Sequence, residues 1–241
     1  MSFTTDNNGR LCNQIIRNLA VSLLAEKYDL QVNYSSKDTI EELGIPLHSG
    51  RTVHKDTIVV NDDNYFALYN SGNIQSNLDP NNAYFQSKDI SNFLYKYLHS
   101  KMTNVMSKNK FASRYNTNND VFIHLRLTDV AHLNPGINYY LDTLQSIQFD
   151  NIFISTDDPS HQMIHKIGKV YPSFKMIHIN EVETIHFGST CKHVILSHGS
   201  FSGIIGYLSF FSNIHYPEYD EAKRWYGDMF SIPGWIKHKH L

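Results

Sequence analysis

A chain of 241 residues is long enough for one large domain or for two compact halves. Its 41% hydrophobic, 13% aromatic and 18% charged content excludes intrinsic disorder, and a formal net charge of -2 excludes the broad basic field that draws proteins onto nucleic acid or anionic membranes. Cys12 and Cys191 are too few for a disulfide framework or a cysteine-based zinc site, and no stretch approaches the roughly 20 apolar residues of a spanning helix, so the expectation is a cytoplasmic chain without a membrane span.

The opening MSFTTDNNGR lacks the basic-then-apolar run of a signal peptide. Behind it, residues 13–28 place Ile15, Leu19 and Leu23, and also Ile16, Ala20 and Leu24, at helical spacing, with Asn7, Asn8, Gly9 and Arg10 as a turn and cap ahead of them. A helix start of this kind presents backbone N–H groups and a positive dipole end to an anion or a sugar. Residues 31–34 and 57–61 read as short strands, and 61–64 and 71–73 as loops. Over 86–107 the apolar residues Ile90, Phe93, Leu94, Tyr97, Leu98, Met102 and Val105 predict one long helix.

The Asn-rich stretch 115–120 breaks the pattern and places a domain boundary near 118, giving halves at 1–118 and 119–241. Beyond it the order is strand (121–127), helix (138–147), strand (151–155), helix (159–170), strand (175–179), helix (181–190), strand (193–197) and helix (202–211). Short apolar strands alternating with helices predict an α/β half with a parallel sheet covered on both faces and its ligands at the carboxyl ends of the strands.

Those ends carry Arg126, then Asp157 and Asp158, then the run SHGSFSG over 197–203. A guanidinium closing an apolar strand is a natural phosphate partner, because its planar donors bind two oxygens at once; the alternative is a structural ion pair with Asp129 or Asp157. The 197–203 run joins a strand to a helix, where Ser200, Phe201 and Ser202 either surround a phosphate or supply an ordinary cap. One of the paired aspartates is expected to cap a helix at Pro159 while the other reads a ribose or base. No Asp-x-Asp motif occurs, His161 and His165 lack the glutamate of a zinc-protease helix, and the other histidines show no ligand spacing, so no metal is expected and no chemistry is assigned to them.

In order along the chain, GRLCNQIIRNLAVSLLAEKYDL, AYFQSKDISNF, VFIHLRLTDV, IFISTDDP, STCKHVILSHGSFSGIIGYLS and AKRWYGDMFSIPGWI resemble signature segments of the alpha-1,2-fucosyltransferases of glycosyltransferase family 11, within the wider fucosyltransferase group. The resemblance implies a GT-B architecture of two Rossmann-like halves facing across a cleft, and inverting transfer without a metal or other cofactor. The implied donor is GDP-fucose, and the implied acceptor partner is a hydroxyl of an oligosaccharide or glycoconjugate, with an alpha-1,2 linkage favoured. It also implies roles: Arg126 holds the donor pyrophosphate, His124 contacts the nucleoside, Ser200, Phe201 and Ser202 surround the phosphates, and Gly9, Arg10 and Asn13 line the sugar cleft.

Five residues at four places depart from the family pattern. Leu127 stands where a second arginine is usual, Cys12 where glycine is usual, Gly203 and Ile204 where two tryptophans are common, and Thr184 where an aspartate is common. Thr184 leaves the neighbouring Glu183 as the carboxylate for a guanine edge, and the missing aromatics open space that alters which sugar fits. Transfer of another sugar, or a non-catalytic glycan- or nucleotide-binding module, are therefore the alternative readings.

Overall fold

The structure, a computed structural model, describes residues 1–7, 9–218 and 227–239. The chain divides into two compact units, Met1–Val105 with Tyr226–Met229, and Met106–Trp225 with Phe230–Leu241.

In the first unit, helix α1 (Leu11–Tyr28) buries residues on every side, including both apolar stripes read from the sequence. Gln14, Arg17, Asn18 and Ser22 are buried with those stripes, so the helix lies inside the unit, not on its surface. It starts two residues earlier than its periodicity predicts, with Arg10 at the N-cap making no side-chain cap; Asn8 lies outside the described residues. Strand β1 (Ser2–Phe3) runs parallel to β2 (Val32–Asn33), and β3 (Thr57–Val59) parallel to β4 (Asn77–Asp79). Leu78 N–H donates to Ser2 Oγ at 2.7 Å, which ties β4 to β1. Two shorter helices, α2 (Lys37–Glu42) and α3 (Tyr65–Tyr69), lie between these strands in sequence.

The long helix predicted over 86–107 is two: α4 (Lys88–Ser100) and α5 (Met102–Lys108), parted at Lys101, whose N–H turns back to Leu98 and Tyr97. The change of unit falls at Val105 and Met106, ahead of the Asn-rich stretch. Side chains before that stretch already belong to the second unit: Asn109 donates to His186 O at 2.9 Å, and Arg114 to Asp120 Oδ2 at 2.7 Å and Thr190 Oγ1 at 3.2 Å.

The second unit is a mixed α/β body around a six-stranded, all-parallel sheet. Its elements are β5 (Val121–Leu125), α6 (Ile137–Gln145), β6 (Ile152–Thr156), α7 (Gln162–Val170), β7 (Lys175–Met176), α8 (Glu181–Gly188), β8 (His193–Ile195), α9 (Ser200–Tyr207), β9 (Asn213–Pro217) and β10 (Ile236–His238), in the spatial order β10-β9-β8-β5-β6-β7. Alternation along β5 assigns its faces. Val121, Ile123 and Leu125 join the core with Tyr139, Tyr140 and Leu144 of α6 and Ile164 and Ile167 of α7. Phe122 points the other way, to Phe187 and Gly188 of α8, and His124 to Phe201 and Ser202 of α9. Both faces of the strand are covered, which is why it reads as a continuous apolar run.

Histidines carry a ladder across one edge of this sheet. His193 Nδ1 lies 3.1 Å from His215 Nε2, and His215 Nδ1 lies 2.9 Å from His238 Nε2. His215 pairs in register with Ile195 and Ile236, so each imidazole is offset by two residues from the next and all three share one face. His238, to which the sequence assigns no chemistry, is thus a hydrogen-bonded member of this ladder.

Candidate functional site

Strand order decides where a site can form. From β5 the chain steps outward to β6 and β7, then returns to place β8 on the other side of β5. The carboxyl ends of β5 and β8 thus flank a topological switch point, the place where open parallel sheets leave a crevice for ligands. Arg126 follows the last residue of β5, and 196–199 connect β8 to the start of α9.

Arg126 is the predicted phosphate ligand, and its guanidinium is held by both carboxylates named as its structural alternative. Nη1 lies 2.9 Å from Asp157 Oδ2 and Nη2 2.7 Å from Asp129 Oδ1. Asp157 is firmly anchored: it also accepts Leu127 N–H at 2.7 Å and Thr128 Oγ1–H at 2.5 Å. Burial alone would raise its carboxyl, but those hydrogen bonds and the Arg126 charge hold it below the usual carboxylate range. Its role here is to fix the 126–128 turn rather than to start a helix. The helix begins later than expected, at Gln162, where His161 Nδ1 accepts Met163 N–H at 3.3 Å, and Asp158 instead closes a turn onto Ser160 N at 3.0 Å.

Ser200, Phe201 and Ser202 form the first turn of α9, not a loop preceding it. Gly199 occupies the N-cap with φ +90°, makes no side-chain cap, and a Cβ built there would meet nothing within 4 Å. The positive dipole end of α9 thus has no side-chain cap from its N-cap residue, as befits a helix start that receives an anion. Ser202 turns its hydroxyl inward. It is fully buried, with Oγ accepting Ser197 N–H at 3.1 Å and lying 2.6 Å from His124 Nδ1. His124 is buried too, under Phe201 with ring centroids 4.9 Å apart, and burial lowers its pKa to about 3, so it stays neutral. Both residues hold β5 against α9, and His124, expected to contact the nucleoside, has its ring packed on the partly buried Phe201.

His198 is the residue that the sequence pattern passed over. It is buried between Ser197 and the Arg126 environment, and burial, with the nearby charge of Arg126 adding to it, lowers its pKa to about 4. Only tertiary proximity to Arg126 marks it. Glu183, the expected guanine partner, is instead ion-paired with Lys110, whose hydrogen bond lowers its pKa, while the adjacent Thr184 is buried.

In the first unit, two segments far apart in sequence meet. Gln86 Nε2 donates to Asn13 Oδ1 at 3.0 Å, and the Asn13 side chain closes over Gly9, where an added Cβ would lie 2.1 Å from its Nδ2. Asp62 fixes the Gln86 segment by accepting Phe85 N–H at 2.9 Å and Ser87 N–H at 3.0 Å, which makes it a structural carboxylate. Arg17, almost fully buried, donates to Thr5 O at 3.2 Å and Asn81 O at 2.6 Å, pinning the loops that follow β1 and β4. Arg10 is exposed beside this cluster in sequence. Lys223, Arg224 and Trp225 of the tail signature lie outside the described residues. Gly227, just beyond them, sits so close to Gln86 O that a Cβ would lie 2.2 Å away.

Among the described residues no group of three or more His, Cys, Asp or Glu could hold a metal ion, and no helix is long and apolar enough to cross a membrane. No protein-family model matches the chain, and no curated protein matches its sequence.

Proposed function

We propose that the chain is a nucleotide-sugar glycosyltransferase of GT-B type that transfers a sugar, L-fucose from GDP-fucose in first place, to a glycan hydroxyl. The observation that carries the reading is that Arg126 and the N-terminus of α9, which has no side-chain cap, stand on the two sides of the β5/β8 switch point. Glycosyl transfer from a nucleoside diphosphate needs negative charge stabilised on the departing diphosphate while the acceptor oxygen attacks the opposite face of the sugar. A guanidinium and uncapped helix amides supply that stabilisation from the protein itself. The meeting of Gly9, Asn13 and Gln86 in the first unit supports the same reading, because it joins two of the segments on which the family resemblance rests.

The Lys110 ion pair on Glu183 and the buried Thr184 leave no free carboxylate among the residues expected to read guanine, which favours keeping other nucleotide sugars in the test. The deciding experiment is a thermal-shift panel of GDP, GDP-fucose, GDP-mannose, UDP-xylose and UDP-glucose, since a ligand bound by the native state raises its stability by mass action. Stabilisation by one nucleotide and its sugar, followed by donor turnover with a glycan acceptor, supports the proposal. Stabilisation without turnover makes the chain a binding module, and a flat panel removes the reading.

A further inference from the structure

The anion site argued above is closed by its own chain. Arg126 brings one positive charge, while Asp157 and Asp129 bring two negative ones, so the site as it stands is net negative and repels a phosphate. The two carboxylates differ in exposure. Asp157 has 19% of its side chain exposed and is tied to Leu127 N–H and Thr128 Oγ1 as well as to Arg126. Asp129 has 51% of its side chain exposed, sits three residues from Arg126 on the connection that leads through a short 3-10 turn, Ala131–Leu133, to α6, and lies 3.4 Å from Thr128 Oγ1. The Asp129 carboxylate, half exposed, can yield its place to a diphosphate oxygen from solvent, whereas Asp157 cannot leave without breaking the turn that positions Arg126.

We propose that Asp129 is an internal stand-in for the ligand phosphate: it occupies Arg126 in the empty protein and is displaced when a diphosphate binds, so that the segment after β5 gates the site. The proposal rests on the reading of Arg126 as the diphosphate ligand. Asp129 lowers affinity for any diphosphate, and its displacement frees Nη2 of Arg126 while Asp157 keeps Nη1 in place. The incoming oxygens then meet the first-turn amides of α9, whose N-cap residue supplies no side-chain cap.

The test is calorimetric titration of the full chain with inorganic pyrophosphate at one fixed ionic strength, for the parent protein, Asp129→Asn, Arg126→Ala and, as a charge control on the exposed Asp150, Asp150→Asn. The expected result is affinity about two- to fivefold tighter in Asp129→Asn, unchanged in Asp150→Asn and lost in Arg126→Ala. Equal affinity in the parent and Asp129→Asn, with Arg126→Ala still null, overturns the gate and leaves the anion site standing. Equal tightening in both asparagine variants overturns it as a general charge effect. Absence of binding in the parent and Asp129→Asn alike overturns the gate together with the diphosphate reading of Arg126.

Discussion

Ser202 Oγ lies 2.6 Å from His124 Nδ1, joining helix α9 to the central strand β5 inside a fully buried contact. The same oxygen accepts Ser197 N–H, so one hydroxyl fixes the strand, the connection after β8 and the helix start together. The tautomer of His124 decides which of the pair donates. This contact sets where the α9 dipole points, and the proposed phosphate cradle depends on it.

Ser202→Ala is therefore expected to act through stability before chemistry. It leaves Ser197 N–H and His124 Nδ1 buried without a partner, a loss of roughly 1–3 kcal/mol. Urea unfolding of the variant beside the parent measures it. A variant as stable as the parent would show the contact to be incidental.

Arg126→Ala is expected to cut transfer by roughly a hundredfold or more if the site works as proposed, the scale for losing a charge contact made in the transition state. Because Leu127 N–H and Thr128 still hold Asp157, the fold should survive, with far-UV circular dichroism unchanged. Turnover near the parent rate would remove Arg126 from the chemistry.

Gly188 faces the ring of Phe122, where a Cβ would lie 2.8 Å from the nearest ring carbon. Gly188→Ala must push that ring out of the buried layer between β5 and α8, a cost of about 1–3 kcal/mol. The helix propensity gain of up to about 1 kcal/mol partly offsets it. A lowered denaturation midpoint checks the sign.

Acid should destabilise the second unit through its buried histidines. Burial holds His124 and His215 down to about 3 and His198 to about 4, all below the ordinary histidine value of 6.5. Folded-state values below the unfolded one mean that the unfolded chain binds protons first. The stabilisation is complete above about pH 6.5 and drains away as pH falls toward 4, by on the order of 1–2 kcal/mol per histidine at pH 5. For His215, the neighbouring His193 and His238 reinforce the effect, since each would repel a second proton along the ladder. Denaturation curves at pH 7.5 and pH 5 with equal midpoints would contradict this.

Local pattern carried much of the architecture. Apolar spacing in 13–28 is enough to require a helix, and because both of its stripes are apolar, α1 is buried all round. Short apolar strands alternating with helices after residue 120 likewise require a parallel sheet with covered faces, and the strand ending at Leu125 delivers Arg126 to its carboxyl end. These features are legible because they depend on neighbours a few residues away.

What Arg126 touches was decided elsewhere. Asp129 was within reach of a sequence argument, but the simultaneous grip of Asp157 depends on β6 lying beside β5 in register, with Leu125 opposite Thr156. The His193–His215–His238 ladder depends on three strands with a two-residue offset, and the burial of Ser202 and His198 on how α9 docks across the sheet. Periodicity along a chain determines which face of an element is apolar; it carries no information on which partner lies opposite, because strand register, helix docking and the competition of two carboxylates for one guanidinium are settled by the packing of the whole unit.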